Sequence, residues 1–247
     1  MPHLQFILTT DADTIVAPDW VDRNIGRLEA ADVVCGKVTP IDTESHLIAD
    51  MHIPHAELEG RYRQLVVEFY RRCTGDDLRH AEASGASIGL KLDVYKSVDG
   101  FPEVATGEDR DLVRRARVAG FSVDHSNDVT VCTSLRLKGR APGGMAEALR
   151  ARVAGGMYSI DESLPPAGYL WQHRSALPPW PHDGSGYDAL SVSELPDEIV
   201  ALESMLASPQ LTSARVYELS DKSSIACEPF PVVLPSCSDT DHAQNAG

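Results

Sequence analysis

The chain has 247 residues, of which 43% are hydrophobic and 24% charged, and a formal net charge of -15. The average electric field of so acidic a chain repels phosphate backbones, which argues against nucleic acid as a partner. No stretch has the length and apolar composition of a transmembrane segment. The composition is that of a globular chain in which an anionic substrate must be bound by a local patch or a metal ion.

Five cysteines are spread along the sequence without a C-x-x-C pair. An odd number of widely spaced cysteines favours free thiols in a reducing compartment. The first residues lack the basic region and the long apolar stretch of a secretion signal. We therefore expect a cytoplasmic protein.

Periodicity, capping residues and turn residues predict a succession of strands and helices. In chain order they are strand 4–10, helix 19–30, strand 32–38, helix 57–72, strand 83–90, short helix 92–98, helix 106–120, strands 121–125 and 129–133, helix 145–153 and helix 194–206. Strands that alternate with helices favour a mostly parallel α/β sheet. Gly and Pro crowd the last third, so we expect a packed α/β portion over 1–155, a loop-rich extension with one helix over 156–228 and a disordered tail over 229–247.

Two carboxylates, Asp11 and Asp13, follow the first predicted strand directly. Oxygen ligands at this spacing can hold a divalent cation against a phosphate group. The D-x-D spacing recurs twice later without an apolar strand before it, so the context makes the first copy informative. The alternative is that both side chains only cap the turn that ends the strand.

A second acidic motif begins at Gly107 and continues with Glu108 and Asp109 at the start of a predicted helix. On its own this motif indicates a structural role for the acidic residues, because the helix dipole and capping favour them in a first turn. A small-residue strand with Gly85, Ala86 and Ser87 precedes it. The order of carboxylate pair, small-residue strand and acidic helix start is more specific than its parts.

This ordered set resembles the family-2 glycosyltransferases, inverting enzymes of the GT-A fold. The matching segments are Thr10-Asp11-Ala12-Asp13, Pro18-Asp19-Trp20, Gly85-Ala86-Ser87, Gly100-Phe101-Pro102-Glu103 and Gly107-Glu108-Asp109-Arg110-Asp111-Leu112, followed by Arg115 and Gly120. The resemblance covers residues 4–144. It implies a partial GT-A-like α/β fold, with a mixed sheet flanked by helices and an irregular C-terminal tail.

By this resemblance Asp13 coordinates Mg²⁺ or Mn²⁺, and Asp11 contacts the ribose or the water shell of the metal. The cation bridges the diphosphate of a nucleotide-diphosphate sugar, which is the donor. Asp109 is the general base that deprotonates the acceptor hydroxyl, and the single in-line displacement inverts the anomeric centre. Glu108 orients the site, although the sequence does not decide between the two neighbours.

The remaining candidates have structural alternatives. Gly85, Ala86 and Ser87 let the sugar and the acceptor approach the backbone, or serve close strand-to-helix packing. Phe101 walls the acceptor side, or lies in the core. His125 resembles a third metal ligand of some GT-A enzymes, or is a surface histidine.

A basic loop follows the last predicted strand and carries Arg136, Lys138 and Arg140. In an acidic chain these residues are candidate contacts for the diphosphate. The alternative is a solvated basic surface.

Members of the family place the nucleotide-binding half of the sheet before the D-x-D strand, and residues 1–9 are too few to build it. We therefore expect a truncated gene product, a misplaced start codon, or a half-domain that pairs with a second chain carrying the missing strands. As an isolated chain it would then expose an apolar strand edge.

Two other functions fit part of the pattern. A non-catalytic remnant would keep the acceptor side and lose donor binding. A haloacid-dehalogenase-like phosphohydrolase would use Asp11 as nucleophile and Asp13 as acid/base partner. That fold also needs a Ser/Thr and a Lys on separate elements, and Ser87 and Lys91 are too close together for this.

Overall fold

The computed structural model describes residues 5–41, 53–104, 106–139 and 144–211. Two of the expectations above lie outside these ranges. They are the tail over 229–247 and the candidate diphosphate contact Arg140.

The described residues form one mixed sheet of five strands in the order β1-β4-β3-β5-β2. The strands are β1 (Phe6–Thr9), β2 (Thr14–Val16), β3 (Val33–Pro40), β4 (Ile88–Lys91) and β5 (Val123–Thr133). Within this sheet β3 and β5 pair in parallel, and the other neighbours are antiparallel. The expectation of a mostly parallel sheet is therefore wrong, because hydrophobic periodicity reports the type of an element and not its direction.

Helices flank the sheet. They are α1 (Trp20–Leu28), α2 (Ala56–Thr74), α3 (Leu92–Ser97), α4 (Glu108–Val118), α5 (Met145–Ala154), α6 (Ala167–His173) and α7 (Leu195–Ala207). Short 3-10 turns cover Gly85–Ser87, Val192–Glu194 and Pro209–Leu211. The sequence did not predict α6, a seven-residue helix that follows Pro165-Pro166 and contains Gly168.

Successive residues of β3 point to opposite faces of the sheet, and both faces are covered. Val33 and Cys35 lie in a cluster with residues of α3 and α4, such as Val94 and Leu112. Val34 lies in a second cluster on the other face, formed with α1. The sheet is therefore buried between helices, as in α/β proteins.

A third cluster joins α2 to the C-terminal segment over 157–211. It contains Tyr62 and Phe69 from α2, Leu170 from α6 and Leu202 from α7. The largest of these side chains are almost fully buried. The C-terminal segment is therefore packed on α2 through a shared core.

The two predicted strands 121–125 and 129–133 are one strand, β5, with an irregularity. The register with β3 shifts between Gly36 and Lys37, which pair with Ser126 and Thr130. A Cβ atom on Gly36 would lie 2.2 Å from Ser87 Oγ and 2.6 Å from the Val129 carbonyl oxygen. Only glycine lets β3 pass at this point.

The cysteines of the described ranges, Cys35, Cys73 and Cys132, are free thiols. None of the helices in those ranges combines the length and the apolar character needed to cross a membrane.

Candidate active site

Part of the candidate set lies at one edge of the sheet. Strands β1, β3 and β5 run in the same direction, so their carboxyl ends share an edge. Asp11 and Asp13 follow β1 at this edge. Strand β4 runs the opposite way, so the turn Gly85–Ser87 before it also lies there. The carboxyl edge of such a sheet is where α/β proteins bind ligands.

Four carboxylates lie near enough at this edge to interact electrostatically and are called the acidic group: Asp11, Asp13, Glu108 and Asp109. Asp11 is exposed, yet partial burial of its carboxylate raises its pKa. The negative charges of the other three members raise it further. The fold therefore brings together two motifs that are almost 100 residues apart in the sequence.

Asp109 is held by backbone amides on both of its oxygens. Its Oδ2 accepts a hydrogen bond from the Gly85 amide at 2.8 Å, and its Oδ1 accepts one from the Arg110 amide at 2.7 Å. Gly107, with φ of 80°, turns the chain into α4 just before it. These contacts orient the carboxylate without neutralising its charge.

Helix α4 is tied to the C-terminal segment beside the acidic group. The Arg110 guanidinium donates to Asp161 at 2.5 Å and to Glu162 at 3.3 Å. Burial raises the pKa of Asp161, but nearby arginines and hydrogen bonds from Ser163 together lower it by a larger amount, so the net shift is downward. Asp161 was not a candidate, because it lies in a stretch whose sequence indicates only a loop.

Arg136 forms an ion pair with Asp13, with 2.7 Å between Nη2 and Oδ2. The pairing of Thr14 with Thr133 places the segments that follow β1 and β5 side by side. Lys138 lies on the same segment as Arg136 and is exposed. The structure thus places one of the predicted diphosphate contacts directly at the acidic group.

Two other candidates, Ala86 and Ser87, lie in the core, and a third, Phe101, is half-buried against it. Ala86 packs with the α1 side of the sheet, and Ser87 Oγ accepts a hydrogen bond from Trp20 Nε1 at 3.4 Å. Phe101 packs against Tyr95, with 5.9 Å between the ring centroids. Of the small-residue turn, Gly85 contacts the acidic group, and its two neighbours pack inside.

His125 is fully buried in the first half of β5, away from the carboxyl end of that strand. Its ring meets His80 edge to face, with 5.2 Å between centroids. Burial, followed by the charges of His80 and Arg117, holds its pKa well below 6.5. The structure does not bring His125 together with Asp11 and Asp13. Strands β3 and β4 lie between β5 and β1, and Asp13 precedes Thr14, which pairs with Thr133 at the other end of β5.

Among the described residues, the acidic group lacks the three or more ligands of a metal site built from protein side chains alone. Within the described ranges no three or more His, Cys, Asp or Glu side chains are arranged to hold a metal ion. Magnesium, however, is usually bound through one or two carboxylates together with waters and substrate phosphates. Asp11 and Asp13 supply that donor set, so they fit a cation shared with a phosphate ligand.

A cleft of about 700 Å³ lies elsewhere on the molecule, beside α1 and the first half of β5. Its charged lining is Arg23, Arg27, Arg79, Asp124 and Asp128. The arginines are already paired with carboxylates. The cleft contains none of the candidate residues, and we do not assign the site to it.

Compared with known proteins, the chain matches no protein-family model and no curated protein.

Proposed function

We propose that the chain transfers a sugar from a nucleotide-diphosphate sugar to an acceptor hydroxyl, with inversion. The observation that carries the proposal is that Gly85, in the turn before β4, holds Asp109 at the edge of the sheet where Asp11 and Asp13 follow β1. Ligands bind at this edge in open α/β sheets. The order of the motifs, which resembles family-2 glycosyltransferases, supports the same reaction.

Asp109 acts as the general base. Its oriented carboxylate accepts the proton of the acceptor hydroxyl, and the hydroxyl oxygen attacks the anomeric carbon. The bond from that carbon to the diphosphate oxygen breaks, and the departing nucleoside diphosphate takes the electron pair. The attack comes from the face opposite the leaving group, so the anomeric configuration inverts.

Asp13 and Asp11 would hold Mg²⁺ or Mn²⁺. When bound, the cation would neutralise charge on the departing diphosphate. Arg136 and Lys138 extend from the segment after β5 and contact the phosphates. Glu108, beside Asp109, helps to orient the site. The free thiols agree with a cytoplasmic location, which remains part of this proposal.

The test is release of nucleoside diphosphate from a panel of nucleotide sugars with Mn²⁺. We expect Asp109→Asn to lower turnover about 10²- to 10⁴-fold with little change in nucleotide binding, because it removes the base and keeps the shape. Asp13→Asn should abolish metal-dependent transfer. The control is Asp22→Asn, an exposed carboxylate in the first turn of α1. Full turnover in Asp109→Asn would contradict the role of the base.

A second candidate is a half-domain or remnant that needs another chain to complete its sheet. Strand β1 is an edge of the described sheet, yet its side chains pack into clusters on both faces, Ile7 on one and Phe6 and Leu8 on the other. Apolar residues on both faces are typical of an internal strand.

Calorimetry on the isolated chain separates the two candidates. Binding of a nucleoside diphosphate with Mn²⁺ supports the enzyme, and no detectable binding favours the half-domain.

The phosphohydrolase alternative gains no support, because Lys91 pairs with Asp32 at 2.9 Å, at the far end of β4 from Gly85–Ser87.

A further inference from the structure

The starting observation is the place of Arg136 relative to Asp13. Their ion pair follows from strand register, because Thr14 pairs with Thr133, Asp13 directly precedes Thr14, and Arg136 follows Thr133 by three positions. The Thr14 and Thr133 hydroxyl groups also hydrogen-bond at 3.3 Å. The pairing of the strands therefore places the Arg136 guanidinium beside the Asp13 carboxylate.

The ion pair is easily exchanged. The Arg136 side chain is 51% exposed, and exposed ion pairs are weak because water screens them and both side chains lose freedom. The adjacent carboxylates leave the region rich in negative charge, which attracts a divalent cation more strongly than a single positive charge. A guanidinium also binds phosphate through two parallel hydrogen bonds.

We propose that Arg136 is an exchangeable counter-ion of Asp13. Its guanidinium takes the place of the divalent cation while the site is free, and moves to the phosphates when the cation arrives. The inference rests on the proposed function, since it uses the cation-binding role of Asp13. It adds competition between a side chain and the metal, which keeps the free acidic group partly neutralised.

The competition has two effects of opposite sign. Removing the guanidinium frees Asp13, so the protein alone should bind the cation more tightly. It also removes a phosphate contact, so pyrophosphate should bind less tightly to the cation-loaded protein. A residue that only stabilises the fold would not produce this pair of changes.

The test is Mn²⁺ binding followed by electron paramagnetic resonance, without donor, for wild type and Arg136→Gln. We expect Arg136→Gln to bind Mn²⁺ about 5- to 10-fold more tightly, and to bind pyrophosphate with saturating Mn²⁺ several-fold more weakly. The control is Arg23→Gln, which removes an arginine that is 50% exposed and paired with Asp19 at the same 2.7 Å. It should leave both affinities within about twofold.

Three results would overturn the inference. Equal Mn²⁺ affinity in wild type and Arg136→Gln, with loss of binding in Asp13→Asn, rejects the exchange and leaves the metal role of Asp13 intact. Equal gains in Arg136→Gln and Arg23→Gln show an effect of overall charge alone. Absence of Mn²⁺ binding in every variant rejects both the exchange and the metal role.

Discussion

Two aspartates of one short motif have opposite surroundings. Asp109 accepts hydrogen bonds from backbone amides and is a member of the acidic group. Asp111, two residues later, is paired with Arg114 and Arg115 on the same helix. Arg115 in turn donates to the carbonyl oxygens of Val98 and Gly100. The Asp109 carboxylate therefore has no arginine partner among these contacts, whereas Asp111 is linked through Arg115 to the turn that follows α3.

This difference predicts a pH-dependent contribution of Asp111 to stability. Burial raises the pKa of Asp111, but hydrogen bonds from Arg114 and Arg115 lower it by a larger amount, so the net shift is downward from 3.8. A lowered pKa in the folded state means stability that is present above the unfolded pKa and lost as the pH falls through the folded pKa. We expect Asp111→Asn to lower the free energy of unfolding at pH 7, and its difference from wild type to shrink below about pH 4.

Urea denaturation at a series of pH values measures this effect. Asp197→Asn, an exposed carboxylate in the first turn of α7, is the control and should show little difference from wild type throughout. A deficit in Asp111→Asn that stays constant down to pH 3 would contradict the ion-pair explanation.

At the scale of elements, the glycines of β3 and α1 have opposite effects. Gly36 lies where β3, β5 and the turn at Ser87 approach most closely. Gly26 lies in an exposed position of α1 with nothing within 4 Å of its hypothetical Cβ atom. The first glycine is required by packing, and the second only weakens a helix.

We therefore predict opposite signs for two identical substitutions. Gly36→Ala should destabilise the protein by about 2 kcal/mol or more, since the Val129 carbonyl is backbone and cannot move aside cheaply. Gly26→Ala should stabilise it by about 1 kcal/mol. Thermal unfolding of both variants beside wild type measures the difference. A Gly36→Ala variant as stable as wild type would contradict the close approach.

At the scale of the whole molecule, the C-terminal segment shares its core with α2. Leu170 of α6 is fully buried in the same cluster as Tyr62 and Phe69 of α2. The Arg110 ion pairs attach the same segment to the helix that carries Asp109. The segment and α2 should therefore unfold together.

Leu170→Ala tests this coupling. It should cost about 2–5 kcal/mol, because the transfer energy of the side chain is lost and a cavity remains. Hydrogen exchange should show that amides of α2 and α6 lose protection to the same extent. Val200→Ala, at a residue of α7 that is 66% exposed, should change stability by less than about 0.5 kcal/mol. Loss of protection confined to α6 would contradict a shared core.

Much of this organisation is local and was predictable. Helices α1, α2, α3, α4, α5 and α7 and strands β1, β3 and β4 follow from periodicity, caps and glycines, which act over a few residues. Strand β2, helix α6 and the continuity of β5 were not predicted. Proline and glycine in and around α6 mask its periodicity, and tertiary pairing with β3 joins the two halves of β5.

The sequence by itself determined which carboxylates, glycines and basic side chains stand at the ends of the predicted strands and helices, because residue type and local pattern are read without knowledge of the fold. Only the tertiary structure decided which of them meet. It placed Asp11 beside Asp109, Arg136 on Asp13, and His125 in the core. Strand direction and register make these choices, and they depend on contacts between residues far apart in the chain.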